Sequence, residues 1–194
     1  MAGARGRTRE RIKEAALDLF GEQGYGTTTL QHIADRLELT KAALYYYYRT
    51  KDDLLEDLTT AFVDDFEGVV VRAEGRPRTP SAVRQALAEL IDLYLANRRT
   101  TAVLSYDKTL LGHPVGERVS ELSQRLLDVV AGPDRDVRQT VRGAAALGAV
   151  FVPVVELDER TAPSDEIAEP LLAAACAVLG IRQAARQTTR ATGG

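Results

Sequence analysis

The chain has 194 residues, 45% of them apolar and 27% charged, with a formal net charge of −3, an ordinary composition for one large or two small folded domains. A single cysteine excludes an internal disulfide, and the two histidines are scattered and offer no metal spacing. The longest nearly uncharged apolar run, residues 143–155, has 13 residues and is too short to cross a bilayer. The opening MAGARGRTRERIKEAALDLF lacks a continuous apolar h-region, so a cytoplasmic location is expected rather than secretion.

Charge is unevenly distributed. Residues 1–51 carry nine Lys/Arg against six Asp/Glu, whereas residues 52–194 carry 16 against 22. Arg5, Arg7, Arg9, Arg11 and Lys13 fall within nine positions. A basic head on an acidic body is compatible with contact to nucleic acid, although such blocks are often only solvated surface.

Apolar residues recur with helical period almost throughout, which places the chain in the all-α class, with about nine helices expected. The first helix is expected from Thr8 to Gln23, with Ile12, Ala16, Leu19 and Phe20 inward and Gly24 as a left-handed cap. A threonine ahead of Leu30, Ile33, Ala34 and Leu37 caps a short second helix. Glu38-Leu39-Thr40 is a three-residue connection, and Thr40 caps a third helix from Lys41 to Tyr48. Thr50-Lys51-Asp52-Asp53 is a capping box. It starts a fourth helix that runs to Gly75 and spans roughly 35 Å, long enough to tie a head to a separate body.

Residues 75–80 are a breaker cluster, and a fifth helix follows to about Arg98. A sixth begins at Thr100 or Thr101 and stops near His113-Pro114. A seventh ends at Gly132, and an eighth, dense in small residues, runs from about Asp134 to Leu157 with Pro153 late in it. A ninth covers Ser164 to Leu179 and closes at Gly180; the polar tail 182–194 is expected to fray. Domains are accordingly expected at 1–50 and 51–181.

The most informative stretch is Leu44-Tyr45-Tyr46-Tyr47-Tyr48. Tyrosine favours strands, but capped helices flank this run. On a helix, four successive rings point in all directions, which suits an element that buries one side and presents the other to something polar. Residues 28–48 thus form a short helix, a tight turn and a second short helix, the unit whose second helix enters the DNA major groove.

Residues 8–55 resemble the DNA-binding head of TetR-family transcriptional regulators. Those heads read roughly A-A-L-x-L-F-x-x-x-G-Y, then T-T-V-x-x-I-A, then a turn, then S-K-x-x-L-Y-x-Y-F-x-S-K-x-x-L. Here stand Ala15-Ala16-Leu17, Leu19-Phe20, Gly24-Tyr25, Thr28-Thr29-Leu30, Ile33-Ala34, Thr40-Lys41, Leu44-Tyr45, Tyr47-Tyr48, Lys51 and Leu54, without a gap. The match covers about a quarter of the chain; the rest agrees only in being helical.

The resemblance implies a ligand-responsive regulator, a repressor foremost, that binds a palindromic double-stranded DNA operator as a homodimer and uses no cofactor. By position it implies that Thr28 caps the second helix near a phosphate and that Gln31 lies near the duplex. Lys41, Ala42 and Tyr46 would face bases; Tyr45, Tyr47 and Lys51 would face phosphates; Tyr48 would be core. Three positions depart from the pattern: Glu38 replaces a turn glycine, His32 a common acid, and Tyr48 a phenylalanine.

For the body the resemblance implies a small-molecule effector pocket, for which Phe62, Phe66, Tyr94, Tyr106, Phe151 and, at the mouth, His113 are the candidates. It also implies a dimer interface on helices eight and nine. Gly143, Ala144, Gly148, Leu171, Leu172, Ala175, Val178 and Leu179 are candidates there, unless these helices are simply buried in their own domain. Activation at the same operator is the nearest alternative. A helical enzyme using Asp107 and His113, or an adaptor without DNA contact, are the alternatives of another class.

Overall fold

The computed structural model describes residues 2–157 and 159–181; of residues 2–4 and of Tyr106 it describes only the backbone. The tail 182–194 lies outside the described residues. Among the described residues there are nine α-helices, one short 3₁₀ turn and no strand. No helix among them is long and apolar enough to cross a membrane.

The head consists of α1 (Ala2–Gln23), α2 (Leu30–Arg36) and α3 (Lys41–Tyr47). Its core is Ile12, Ala16, Leu19, Phe20, Ile33, Ala34 and Leu44, closed by Tyr25 and Tyr48. Helix α1 starts six residues before the expected Thr8; arginine is a good helix former, so the basic run extends the helix. Gly24 ends α1 at φ +87°. The end of α2 explains the tight turn. Leu39 N–H donates to the Ala34 carbonyl at 2.9 Å and Glu38 N–H to that of Asp35 at 3.2 Å, the paired bonds of a Schellman motif. Such a motif needs a left-handed residue, and Glu38 supplies it at φ +56°.

Helix α4 (Lys51–Glu74) leaves the head and becomes the spine of the body. Its capping box on Thr50 and Asp53 is formed in full. Around it lie α5 (Pro80–Ala96), α6 (Arg98–Tyr106), α7 (Pro114–Ala131), α8 (Val137–Glu156) and α9 (Ser164–Leu179). Helix α4 packs on α5 and α7, whereas α8 packs chiefly on α9. Pro153 sits in the last turn of α8 without ending it, since Leu157 N–H still reaches the Pro153 carbonyl at 3.0 Å.

Between α6 and α7 the chain makes a 3₁₀ turn at Lys108–Leu110. Gly116, in the first turn of α7, lies so close to the Leu110 carbonyl that any Cβ would overlap it. Helix α6 also touches the head: Arg99 donates to the Glu14 carbonyl at 3.0 Å and pairs with Asp18.

Candidate nucleic-acid interface and body cavity

Helix α3 begins at Thr40, whose hydroxyl accepts the Ala43 N–H at 3.2 Å. That start fixes which tyrosine points where. Leu44 and Tyr48 are buried in the head core, whereas Lys41, Ala42, Tyr45 and Tyr46 are exposed, Tyr46 at 64%. Lys41 lies over the Tyr45 ring at 5.6 Å and the Arg5 guanidinium over the Tyr46 ring at 4.9 Å, so both rings carry a cation on one face. Tyr47 is half-buried against the core and meets the edge of Tyr46.

Beside α3, a shallow concavity is bounded by Thr28, Thr29, Gln31, Lys41, Tyr45, Arg49, Thr50 and Lys51. It brings the exposed side of α2 next to that of α3 and the start of α4. Gln31 is exposed there and donates to Asp35 at 2.7 Å. Arg49 was not singled out from the sequence; its place between the tyrosine run and the Thr50 cap was the available signal.

Two residues act differently from expectation. Thr28 does not cap α2: Thr29 does, accepting the His32 N–H at 3.2 Å, and His32 Nδ1 accepts the Thr29 N–H in return at 3.4 Å. His32 thus fills the capping-box position usually held by an acid or amide. Thr28 is fully buried, and its hydroxyl donates to the Gly24 carbonyl at 2.7 Å. Lys51 is turned inward. Its ammonium donates to the Tyr25 and Thr28 carbonyls, the latter at 2.8 Å, and lies 4.0 Å over the Tyr25 ring. Burial pushes that ammonium below the usual lysine value, against the opposing charges of Asp52 and Asp107.

The additional hydroxyl of Tyr48 has partners. It donates to Asp57 of α4 and accepts from Arg9 of α1 at 3.2 Å, and Arg9 pairs with Asp57 at 3.0 Å. Burial and the bond to Asp57 keep this phenol protonated well above its ordinary range. The head is thereby tied to the first turns of α4.

In the body, a cavity of about 380 Å³ lies among α4, α5, α6, α7 and α8. Phe62, Phe66, Tyr94 and Phe151 all line it. Tyr94 is the hub, with ring centroids 6.4, 6.1 and 6.1 Å from those of Phe62, Phe66 and Phe151. Thr101, Leu104 and Leu126 also line it and carried no such expectation from the sequence. The side chain of Tyr106 lies outside the description. His113 is elsewhere: it caps α7, accepting the Val115 N–H at 3.3 Å, and faces the Tyr25 ring and Asp52. Asp107 instead accepts the Tyr25 N–H and both donors of Thr109, so the Asp107 and His113 side chains serve separate contacts.

Of the expected dimer residues, several face inward. A Cβ on Gly143 would collide with Leu127 and Ala131 of α7. Leu171, Leu172 and Ala175 are buried, and Val178 and Leu179 pack against the same core. Small residues here let α8 approach α7 within the chain. Ala144 is exposed and shares the outer side of α8 with Val137 (81% exposed), Val141 and Val152, whereas the half-exposed Gly148 borders the body cavity.

Comparison with known proteins bears on this geometry. The sequence profile of the bacterial regulatory proteins, tetR family, matches residues 12–58. The chain is 28% identical over 111 residues to the probable HTH-type transcriptional regulator YttP of Bacillus subtilis, a match covering 54% of each protein. It is 30% identical over 84 residues to IcaR, the negative transcriptional regulator of the biofilm operon icaADBC in Staphylococcus aureus strain Newman. That match covers 43% of this chain and 45% of IcaR. The alignments therefore span only about half the length of these relatives. A crystal structure of a TetR/AcrR-family regulator from Thermobifida fusca YX-ER1 superposes over 91% of this chain and 100% of its own, at 28% identity and TM-score 0.56.

Proposed function

The chain belongs to the TetR family of bacterial regulatory proteins, and from that premise we propose that it is a ligand-responsive transcriptional repressor. It binds a palindromic DNA operator as a homodimer and is released when a small molecule fills the body cavity. Residues 1–50 serve as the DNA-binding domain and residues 51–181 as the ligand-binding and dimerisation domain.

The observation that carries the reading is the outer face of α3. Lys41, Ala42, Tyr45 and Tyr46 stand exposed on a short, capped helix whose opposite face is locked into the core. Small Ala42 allows close approach to base edges, Tyr46 and Lys41 reach them, and Tyr45 with Arg49 meets the flanking phosphates. Gln31 joins from α2. Thr28, Lys51 and the half-buried Tyr47 hold the unit in shape instead of supplying the contacts that the family pattern implies for them.

A palindromic site requires two heads related by a two-fold axis. The exposed apolar stripe Val137, Val141, Ala144, Val152 on α8, with Pro170, Ala174 and Ala177 on α9, is the face we assign to that pairing. Repression is favoured by the relative IcaR, which is a negative regulator.

Selection of bound sequences from random duplex DNA tests the proposal. The expected product is an inverted repeat, bound at two protomers per site. Recovery of no enriched sequence, or of a site without two-fold symmetry, would reject it.

A further inference from the structure

The body cavity also constrains the chemistry of its occupant, given the reading of that cavity as the effector site. Among the described residues that line it, none is Asp, Glu, Lys, Arg or His. The titratable group present is Tyr94, whose hydroxyl burial keeps protonated. A charged molecule entering this space would give up its hydration and meet no opposite charge, a large penalty in a poorly solvated site. Four aromatic rings and several leucines instead offer apolar contact.

Besides the Tyr94 hydroxyl, the polar side chains that line the cavity among the described residues are Thr101, Ser105, Ser120 and Ser123; Ser105 and Ser120 are exposed, and Ser123 donates to the Val119 carbonyl at 2.7 Å. Thr101 of α6 is 2% exposed and lines the cavity, and its Oγ1 is buried without a hydrogen-bond partner. Thr59 is equally buried, yet its hydroxyl donates to the Leu55 carbonyl at 2.8 Å; Thr28 is satisfied in the same manner. A buried hydroxyl left unpaired is costly and uncommon, and one on a cavity-lining residue gains a partner by turning toward a polar group that enters.

We infer that the cavity takes an uncharged, predominantly apolar molecule carrying one hydrogen-bonding group, and that this group engages the Thr101 hydroxyl. The volume of about 380 Å³ lies in the lower part of the range of roughly 300–1,000 Å³ of small-molecule sites, so the occupant is compact. Its polar anchor is also well placed to be felt. Thr101 lies about 7.5 Å, five residues at helical rise, from the end of α6 at Tyr106, and the next residue, Asp107, holds the Tyr25 N–H of the head.

A matched set of probes tests this: 1-decanol, decanoate and decylammonium, each added to the full chain below its aggregation concentration. Decanol should raise the melting temperature saturably and bind at least about tenfold more tightly than either ion. Thr101→Val, isosteric but without the hydroxyl, should weaken decanol about tenfold, while the melting temperature of the free protein does not fall. Thr101→Ser should retain binding and shows that the hydroxyl, not the shape, is responsible. Equal or tighter binding of an ion, unchanged decanol affinity in Thr101→Val, or no saturable decanol binding each overturns the assignment. Decanol binding that leaves operator affinity unaltered would preserve the ligand class and remove the regulatory role of the cavity, so the two readings fail separately.

Discussion

The carboxylate of Asp107, just past the end of α6, accepts the backbone N–H of Tyr25, 82 residues earlier in the chain. The same carboxylate takes the Thr109 N–H at 2.9 Å and the Thr109 hydroxyl, and it abuts Gly24. Helix α4 is therefore not the sole connection between head and body. A second one runs from the cavity wall along α6 to the loop that follows α1.

Replacing Asp107 by Asn should loosen that connection and cost about 1–3 kcal/mol at neutral pH. Burial alone would raise the Asp107 pKa, but bonds from Thr109, Tyr25 and Gly26 outweigh it and hold the group below the ordinary carboxylate value. A depressed folded-state pKa means stabilisation that is complete above the unfolded value near ~3.9 and is lost as pH falls through the folded one. Urea unfolding should thus show the wild type well above Asp107→Asn at pH 7, with the gap narrowing as the pH drops below that range. A constant gap would contradict the assignment.

Tyr46 and Tyr48 should separate binding from stability. Tyr46 is exposed, so Tyr46→Ala should change stability by less than about 0.5 kcal/mol while weakening operator binding by about 1–3 kcal/mol. Tyr48→Phe should do the reverse. It removes the hydroxyl shared with Asp57 and Arg9, costing about 1–2 kcal/mol of stability with operator affinity kept in the folded protein. Thermal melts and fluorescence anisotropy on the selected operator read both.

Much of this division was legible from the order of residues. Thr40 and Thr50 set the ends of α3, and the helical period then sends Leu44 and Tyr48 inward and Tyr46 out. The assignment of Thr28 failed for a tertiary reason. Thr27, Thr28 and Thr29 are chemically equivalent caps, and the choice among them depends on how the chain leaves Gly24, whose carbonyl takes the Thr28 hydroxyl. The capping role of His32 was hidden because an imidazole replaces the usual acid. On α8, the period distinguishes two apolar stripes, Gly143-Ala146-Val150-Val154 and Val137-Val141-Ala144-Val152. It cannot say which one meets α7, and of the expected residues Gly143 belongs to the inner stripe and Ala144 to the outer one. His113 was placed at the cavity mouth because nothing local in the sequence reveals that Tyr25 and Asp52 come to meet it.

Glu38→Gly should stabilise the protein. A residue with a side chain in the left-handed region costs roughly 1–2 kcal/mol relative to glycine, of which the extra freedom of glycine in the unfolded chain returns about 0.4–1 kcal/mol. A net gain of up to about 1.6 kcal/mol is expected, with unchanged operator affinity because Glu38 lies in the turn and not on the outer face of α3. A lower melting temperature in the variant would show that the Glu38 side chain has a role of its own.

Gly116→Ala should be disruptive out of proportion to one methyl group. The new Cβ would strike the backbone oxygen of Leu110, which cannot rotate aside as a side chain would, so the 3₁₀ turn at 108–110 must move. The expected cost is about 1–3 kcal/mol, together with altered ligand affinity, since Gly116 and Leu110 both line the cavity. Calorimetric titration with decanol on the folded variant checks the second part.

The inward turn of Lys51 carries over to the ionic atmosphere of the operator. Of the nine cationic side chains in residues 1–51, Lys51 is bound to two carbonyls, Arg9 to Asp57 and Arg36 to Glu22. Each phosphate neutralised displaces about 0.9 of a condensed counterion from duplex DNA, and cations already paired with partners of the head displace fewer. Operator affinity should therefore decline with added salt much less steeply than the basic composition of the head suggests, leaving discrimination to the tyrosine face of α3.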